Sequence, residues 1–219
     1  MTMSSGTRSA WTPVVWPPDE AAAATLREWI EGDVEQDFYG LDLDFSRSDL
    51  SGGDLLETWL SRSRFTNTVL RDTTLVRTHL EEADFTGADL DGANLARAEG
   101  REAVFRNARL HGANLTASKF RHADFTGADL TAATFGDATF SNATFAGAKL
   151  TDVTADKVTL RAAVLDSAEV TGFTGSVIGP ISVIYRGERT LLDDEDLEQW
   201  FAARGASVTR FHAERETRR

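Results

Sequence analysis

From Phe45 to Val170, nearly every residue whose number is a multiple of five is Phe or Leu, the exceptions being Gly100, Ala155 and Val170 itself. A period this strict is the mark of a repeat architecture, and it constrains the fold more tightly than any local motif. A second period lies inside the first. Phe45, Phe65, Phe85, Phe105, Phe125 and Phe145 recur every twenty residues, followed five residues later by Leu50, Leu70, Leu90, Leu110, Leu130 and Leu150. Two residues before the large apolar positions stand small ones, among them Ser48, Thr58 and Ser63 and then Ala83, Ala88, Ala93, Ala98, Ala103, Ala108 and Ala113. An α-helix cannot use such a period, since each step of five turns it by about 500° and drifts off any one face. A flat strand fails as well, because an odd period alternates between its two faces. A chain that turns a corner every five residues and closes a square coil after four units satisfies both periods. Residue i then stacks on residue i+20 at about the 4.8 Å spacing of adjacent strands. Three units per coil would instead give a fifteen-residue period and mix Phe with Leu on every face.

The motif is clearest in Ala83-Asp84-Phe85-Thr86-Gly87-Ala88-Asp89-Leu90-Asp91-Gly92-Ala93-Asn94-Leu95 and again in Ala123-Asp124-Phe125-Thr126-Gly127-Ala128-Asp129-Leu130. On these residues the chain resembles the pentapeptide-repeat family. The resemblance implies an all-β solenoid, a right-handed quadrilateral β-helix of about six to seven coils. At one strand spacing per coil such a rod is roughly 30 Å long. It divides the chain into an N-terminal segment and capping helix (1–40), the repeat region (41–175) and a C-terminal strand and helix (176–219).

Stacked coils expose core and strand edges at both ends, so each end needs a cover. Pro17-Pro18-Asp19-Glu20 leads into an alanine-rich stretch, Ala21 to Ile30, that reads as a helix with Leu26, Trp29 and Ile30 turned inward. After Val170 the five-residue register dissolves. Ile181–Tyr185 reads as a strand, Arg186 to Arg189 as a turn, and Asp193 to Arg204 as a helix stopped by Gly205, with Leu197, Trp200 and Phe201 on one side. His212 to Arg219 is polar and reads as a frayed end. The gyrase-protecting relatives end in a similar short helix and pair tail to tail, so the resemblance implies a homodimer with Leu197, Trp200 and Phe201 as contacts. Within the core, Gly100 stands where a Leu or Phe belongs, between Leu80 and Phe120, and Phe120 is large enough to lean into the gap.

With the inward positions explained by packing, function falls to the outward ones. One surface column runs Asp44, Arg64, Asp84, Val104, Asp124, Thr144, Val164, and its neighbour runs Asp49, Val69, Asp89, Arg109, Asp129, Lys149, Glu169, with Asp91 beside it. Acids thus recur on every second coil, at roughly 10 Å intervals. The resemblance implies that Asp44, Asp84, Asp124, Asp49, Asp89, Asp129 and Asp91 mimic DNA phosphates toward DNA gyrase or topoisomerase IV. The competing reading is that Asp and Asn stand there for turn geometry, as Asn94 and Asn114 do on the third face. Charge favours at most a one-sided mimic. The chain carries a net charge of −12, yet residues 41–175 set twenty acids against fourteen bases, whereas a 30 Å duplex carries close to twenty negative charges and no compensating ones.

Other classes fit poorly. There is no cysteine, hence no disulfide or thiolate metal site, and no apolar run of signal-peptide or membrane-spanning type, so a soluble cytoplasmic protein is expected. Of the four histidines, His79 and His122 share a face but lie about two coils apart, too far to ligate one metal together. No Ser-His-acid set or phosphate-binding glycine loop appears, so neither catalysis nor a cofactor is expected. Direct nucleic-acid binding is disfavoured for want of a clustered basic stripe. A structural scaffold whose partner is unrelated to DNA remains the alternative to the mimic.

Overall fold

The computed structural model describes residues 11–32, 37–185 and 188–211. Its organising feature is a set of four ladders of parallel bridges, each joining a residue to the one twenty positions on. They run Asp44–Arg64–Asp84 and onward to Val164, Asp49–Val69–Asp89 and onward to Glu169, Asp54–Thr74–Asn94 and onward to Thr154, and Tyr39–Trp59–His79 and onward to Thr159. Each ladder bonds in both directions: Phe85 N donates to Val104 O at 2.7 Å, and Asp84 N donates to Ser63 O at 3.0 Å. Short bridges therefore satisfy the backbone without long strands, which answers the accounting that any buried main chain must meet.

The corners are turns. Ala88 N donates to Phe85 O at 2.9 Å, and the third turn residue has positive φ, the arrangement of a type II turn. Between Asp42 and Gly172 this left-handed position is occupied by twenty non-glycine residues and only seven glycines. The stack, rather than glycine, imposes the conformation, and the favourable ladder offsets a strain of order 1 kcal/mol or more per residue. Where glycine does occur at 87 and 127, the space a Cβ would fill holds Asn67 Oδ1 and Asn107 Oδ1 from the coil below, each 2.5 Å away.

Inward, the Phe column from Phe45 to Phe145 stacks ring on ring, with centroids 4.7–5.0 Å apart and planes within 11° of parallel. That separation is the strand spacing carried into the core. The small column is alanine over much of its length. Toward the N-terminal side it is hydroxylic: Ser48, Thr58, Ser63, Thr68, Thr73 and Thr78 are buried. Their hydroxyls are satisfied by the main chain, Thr68 Oγ1 donating to Phe45 O at 2.8 Å and Thr78 Oγ1 to Leu55 O at 2.8 Å. Beside Gly100 the ring of Phe120 occupies the volume that a side chain would take. It lies edge-on to Phe105 and Phe125, at 89° and 87°. The missing Leu is thus repacked, not left as a void.

On the N-terminal side, Val15 pairs antiparallel with Asp49 and Trp11 Nε1 donates to Ser51 O at 2.9 Å, so this segment covers the open edge of the second ladder. It leads into α1 (Glu20–Glu31), where Asp19 accepts from Ala22 N at 2.9 Å as N-cap. Ala22, Leu26 and Trp29 are buried while Ile30 is only partly so, and Trp29 packs on Phe38 at 4.8 Å.

On the far side the chain forms β1 (Thr154–Thr159), β2 (Ala163–Val164), β3 (Thr174–Ile178), β4 (Ile181–Tyr185), β5 (Glu188–Leu192), α2 (Asp194–Ala202) and β6 (Ser207–Arg210). Here the register contracts: Thr154 pairs with Thr174, twenty on, Val158 with Val177, nineteen on, and Ala163 with Ile181, eighteen on. The shift begins where Gly175, at φ 121°, sets its backbone against the Ala155 carbonyl so closely that a Cβ would overlap it. β6 then pairs with β3. Two expectations need correction. Glu188 and Arg189 are not turn residues but open β5, antiparallel to β4, while Arg186 and Gly187 lie outside the described residues. The helix is also shorter than Asp193 to Arg204, with Asp193 as its N-cap residue; Gly205, at φ 75°, follows it as expected. His212 to Arg219 lies outside the described residues.

Because Phe85 is fully buried between two parallel rings, Phe85→Ala should destabilise the protein by about 3–5 kcal/mol. Chemical denaturation monitored by circular dichroism measures this, and an unchanged midpoint would show that the ring is not in the core.

Candidate functional site

The acid rows begin as turn chemistry. One carboxylate oxygen of each row aspartate accepts the backbone N–H two residues on, as Asp44 does from Ser46 (3.0 Å), Asp84 from Thr86 (2.9 Å), Asp124 from Thr126 (2.9 Å) and Asp129 from Thr131 (3.1 Å). Asp49 and Asp89 accept in the same way from Ser51 and Asp91. Asn94 and Asn114 do likewise on the third face. Asp and Asn at these positions thus hold the corner closed, as Asx turns do.

The second oxygen is used too. Arg64 pairs with Asp44 at 2.8 Å, Arg71 with Asp89 at 2.6 Å, Arg106 with Asp124 at 2.5 Å, Arg109 with Asp91 at 2.5 Å, and Lys149 with Asp129 at 3.5 Å. Of the seven acids expected to contact a partner, five therefore carry a basic residue of the same chain, and Asp49 and Asp84 lie outside these pairs. Asp89 and Asp124 are also largely covered, with side chains 15% and 17% exposed. The structure brings the row together as foreseen in sequence, but as an alternating polar network, not a bare line of negative charge.

These contacts set the carboxyl groups of Asp44, Asp89, Asp124 and Asp129 below their ordinary range. For Asp44 the main cause is the hydrogen bond from Ser46. For Asp89, Asp124 and Asp129 partial burial is the largest single influence and opposes ionisation, but the other contacts together outweigh it: Arg71, the Asp91 N–H and Arg109 for Asp89, Thr126 with Arg106 for Asp124, and Thr131 with Lys149 for Asp129. A carboxyl depressed in the folded state stabilises the fold above its unfolded pKa, about 3.9 for Asp, and that stabilisation is lost as pH falls through the folded value.

The C-terminal residues expected to meet a second copy are used within the chain. Leu197, Trp200 and Phe201 are all buried. Phe201 packs on Phe173 at 5.2 Å, and the Arg204 guanidinium lies 4.1 Å from the Trp200 ring centre. These side chains close the chain's own core instead of presenting a contact face. The exposed apolar residues nearby are Ile184 and Leu191, at 50% and 62%, on the β4–β5 hairpin. Among the described residues, no helix is long and apolar enough to cross a membrane.

The depressed carboxyls predict that stability is flat from neutral pH to about 5 and falls as pH drops through 4 and below. Urea midpoints measured across that range check this, and a midpoint rising on acidification would contradict it.

Residues 78–155 match the family described as Pentapeptide repeat region. No curated protein matches the chain. Among solved structures, the chain is similar to QnrB1, described as a plasmid-mediated fluoroquinolone resistance protein, at 17% identity and TM-score 0.40, over 64% of this chain and 76% of that one. It is also similar to HetL of the cyanobacterium Nostoc sp., a pentapeptide-repeat protein involved in heterocyst differentiation regulation, at 22% identity and TM-score 0.27, over 76% of this chain and 97% of that one. A third is a pentapeptide-repeat protein of the Arabidopsis thaliana thylakoid lumen, at 36% identity and TM-score 0.22, over 48% of this chain and 66% of that one. The family match lies within the ladder of bridges that runs in one register from Tyr39 to Glu169, and it identifies residues 78–155 as a pentapeptide-repeat region.

Proposed function

We propose that this chain is a non-catalytic interaction protein that presents a rigid, partly acidic surface to another protein. In this reading residues 41–175 form a right-handed quadrilateral β-helix of six to seven coils, with residues 1–40 and 176–219 as its covers. The observation that carries the reading is the fixing of the surface. Outward side chains sit in ladders whose backbone is bonded to both neighbouring coils, and the row aspartates are further tied to their own turns. A partner meeting such a surface loses little free energy to ordering it.

Among partners, the most concrete candidate is the basic DNA-binding surface of DNA gyrase or topoisomerase IV, with Asp44, Asp84, Asp124, Asp49, Asp89, Asp129 and Asp91 as contacts. Its support is the family resemblance and the rows themselves. Such a partner would engage Asp49 and Asp84 directly and would displace Arg64, Arg71, Arg106, Arg109 and Lys149 from the others. A scaffold whose partner is unrelated to DNA is the second reading, favoured by those same ion pairs, which leave little unbalanced charge along the rows. Pairing of two copies through the C-terminal segment would use the exposed Ile184 and Leu191, since Leu197, Trp200 and Phe201 are buried.

Because an Asx turn needs only the side-chain oxygen, Asp→Asn substitution separates charge from fold. A variant carrying Asp84→Asn, Asp89→Asn, Asp124→Asn and Asp129→Asn should fold. If the topoisomerase reading holds, wild-type protein inhibits gyrase supercoiling or protects it from a fluoroquinolone at micromolar concentration, and the variant loses the effect. Equal activity of the two would remove the rows from the interface, and no effect of the wild type would leave the scaffold reading.

A further inference from the structure

His79 lies beside two carboxylates. It stands in the fourth ladder directly below Glu99, to which its backbone is bridged, and Glu81 lies two residues on across the corner. One ligand atom from each of His79, Glu81 and Glu99 can be chosen so that all three lie within 4.8 Å of one another. His79 Nδ1 is 3.5 Å from Glu81 Oε1, beyond the ordinary length of an N–H···O hydrogen bond.

Each of the three is held from outside the trio. The Trp59 ring lies against His79 with centroids 3.8 Å apart and planes 12° from parallel, fixing the imidazole plane. Ser61 Oγ donates to Glu81 Oε2 at 2.6 Å, which leaves Oε1 facing the histidine. Lys119 Nζ donates to Glu99 Oε1 at 2.7 Å. The backbone beneath is rigid, His79 N donating to Thr58 O at 2.9 Å and Glu99 N to Thr78 O at 3.0 Å. All three side chains are partly exposed, between 29% and 42%, so an ion could enter from solvent and retain water.

We propose that His79, Glu81 and Glu99 form a site for a divalent transition-metal ion of the zinc class. One imidazole nitrogen with two carboxylate oxygens is a donor set such ions accept, with water completing the shell. Bond lengths near 2.0–2.2 Å place the ligand atoms of a tetrahedral site roughly 3.4 Å apart. The trio, whose ligand atoms lie within 4.8 Å of one another, must therefore close by up to about 1.4 Å, a displacement within the reach of Glu side-chain rotation. The partners at Trp59 and Ser61 act as outer-shell supports, orienting the ligands before the ion arrives. Lys119 acts in the opposite sense: its ammonium occupies Glu99 and adds a positive charge beside the incoming cation, so ion and lysine compete.

That competition makes the test two-sided. Titration calorimetry of the full-length chain with zinc chloride should show one equivalent bound. His79→Gln and Glu99→Gln should each weaken binding by about tenfold or more, and Lys119→Met should strengthen it several-fold. Circular dichroism melts of each variant establish that the stack is intact. NMR of the histidine side chains should show zinc moving the His79 resonances and not those of His111 or His122. Absence of binding by wild type, or binding unchanged in folded His79→Gln and Glu99→Gln variants, would overturn the site. Binding weakened by Lys119→Met would overturn the placement of the ion at Glu99.

Discussion

Everything in this protein depends on the parallel hydrogen-bond ladder that joins each residue to the one twenty positions further on. It fixes the rise between coils, and through that rise it decides what the core can hold. Rings stack from Phe45 to Phe145 because the spacing of adjacent strands matches the 4.7–5.0 Å separation of stacked aromatic rings, and small buried residues stand two positions before each ring from Phe65 on. The ladder also places twenty non-glycine residues in the left-handed region. A short turn would not sustain that conformation at such frequency; a stack bonded on both sides does.

The same ladder explains why the surface is ordered and why its charge is muted. An aspartate that closes a corner has one oxygen bound to its own turn, and the other stands at strand spacing from a neighbour's long side chain. Arg71 with Asp89, Arg106 with Asp124 and Arg109 with Asp91 are each eighteen residues apart. Such pairs follow from geometry, so a periodic acidic row tends to recruit its own counter-charges. Partly exposed pairs of this kind contribute little stability individually; their larger effect is to shape the field that a partner encounters.

The repeat region was legible almost residue by residue, because Phe at 45, 65, 85, 105, 125 and 145 marks the same twenty-residue period that the bridges follow. The leaning of Phe120 over Gly100 was legible too, since one large side chain sat beside one absent one. What escaped was diagonal. Stacking residues by twenty sets Asp89 under Arg109 and hides Arg71, whose reach crosses between columns. The His79, Glu81 and Glu99 group is hidden for a related reason: its spacings of two and twenty are plain, but it joins one histidine to two carboxylates across a corner and a bridge, with no second histidine to signal it. Beyond Val170 the period fails as Gly175 shifts the register, so β5 and β6 had no periodic signal to betray them. The burial of Trp200 and Phe201 against the chain's own core, instead of a second copy, depended on how far that last layer closes over Phe173.

The most direct test of the twenty-residue ladder is to cut it in and out of phase. Deleting residues 86–105 removes one whole coil and rejoins every column, whereas deleting residues 86–97 removes twelve residues and rejoins none. Thermal melting followed by circular dichroism should show a cooperative transition for the first and its loss for the second. Equal folding of the two, or failure of the in-phase deletion alone, would contradict the ladder as the constraint on which this structure rests.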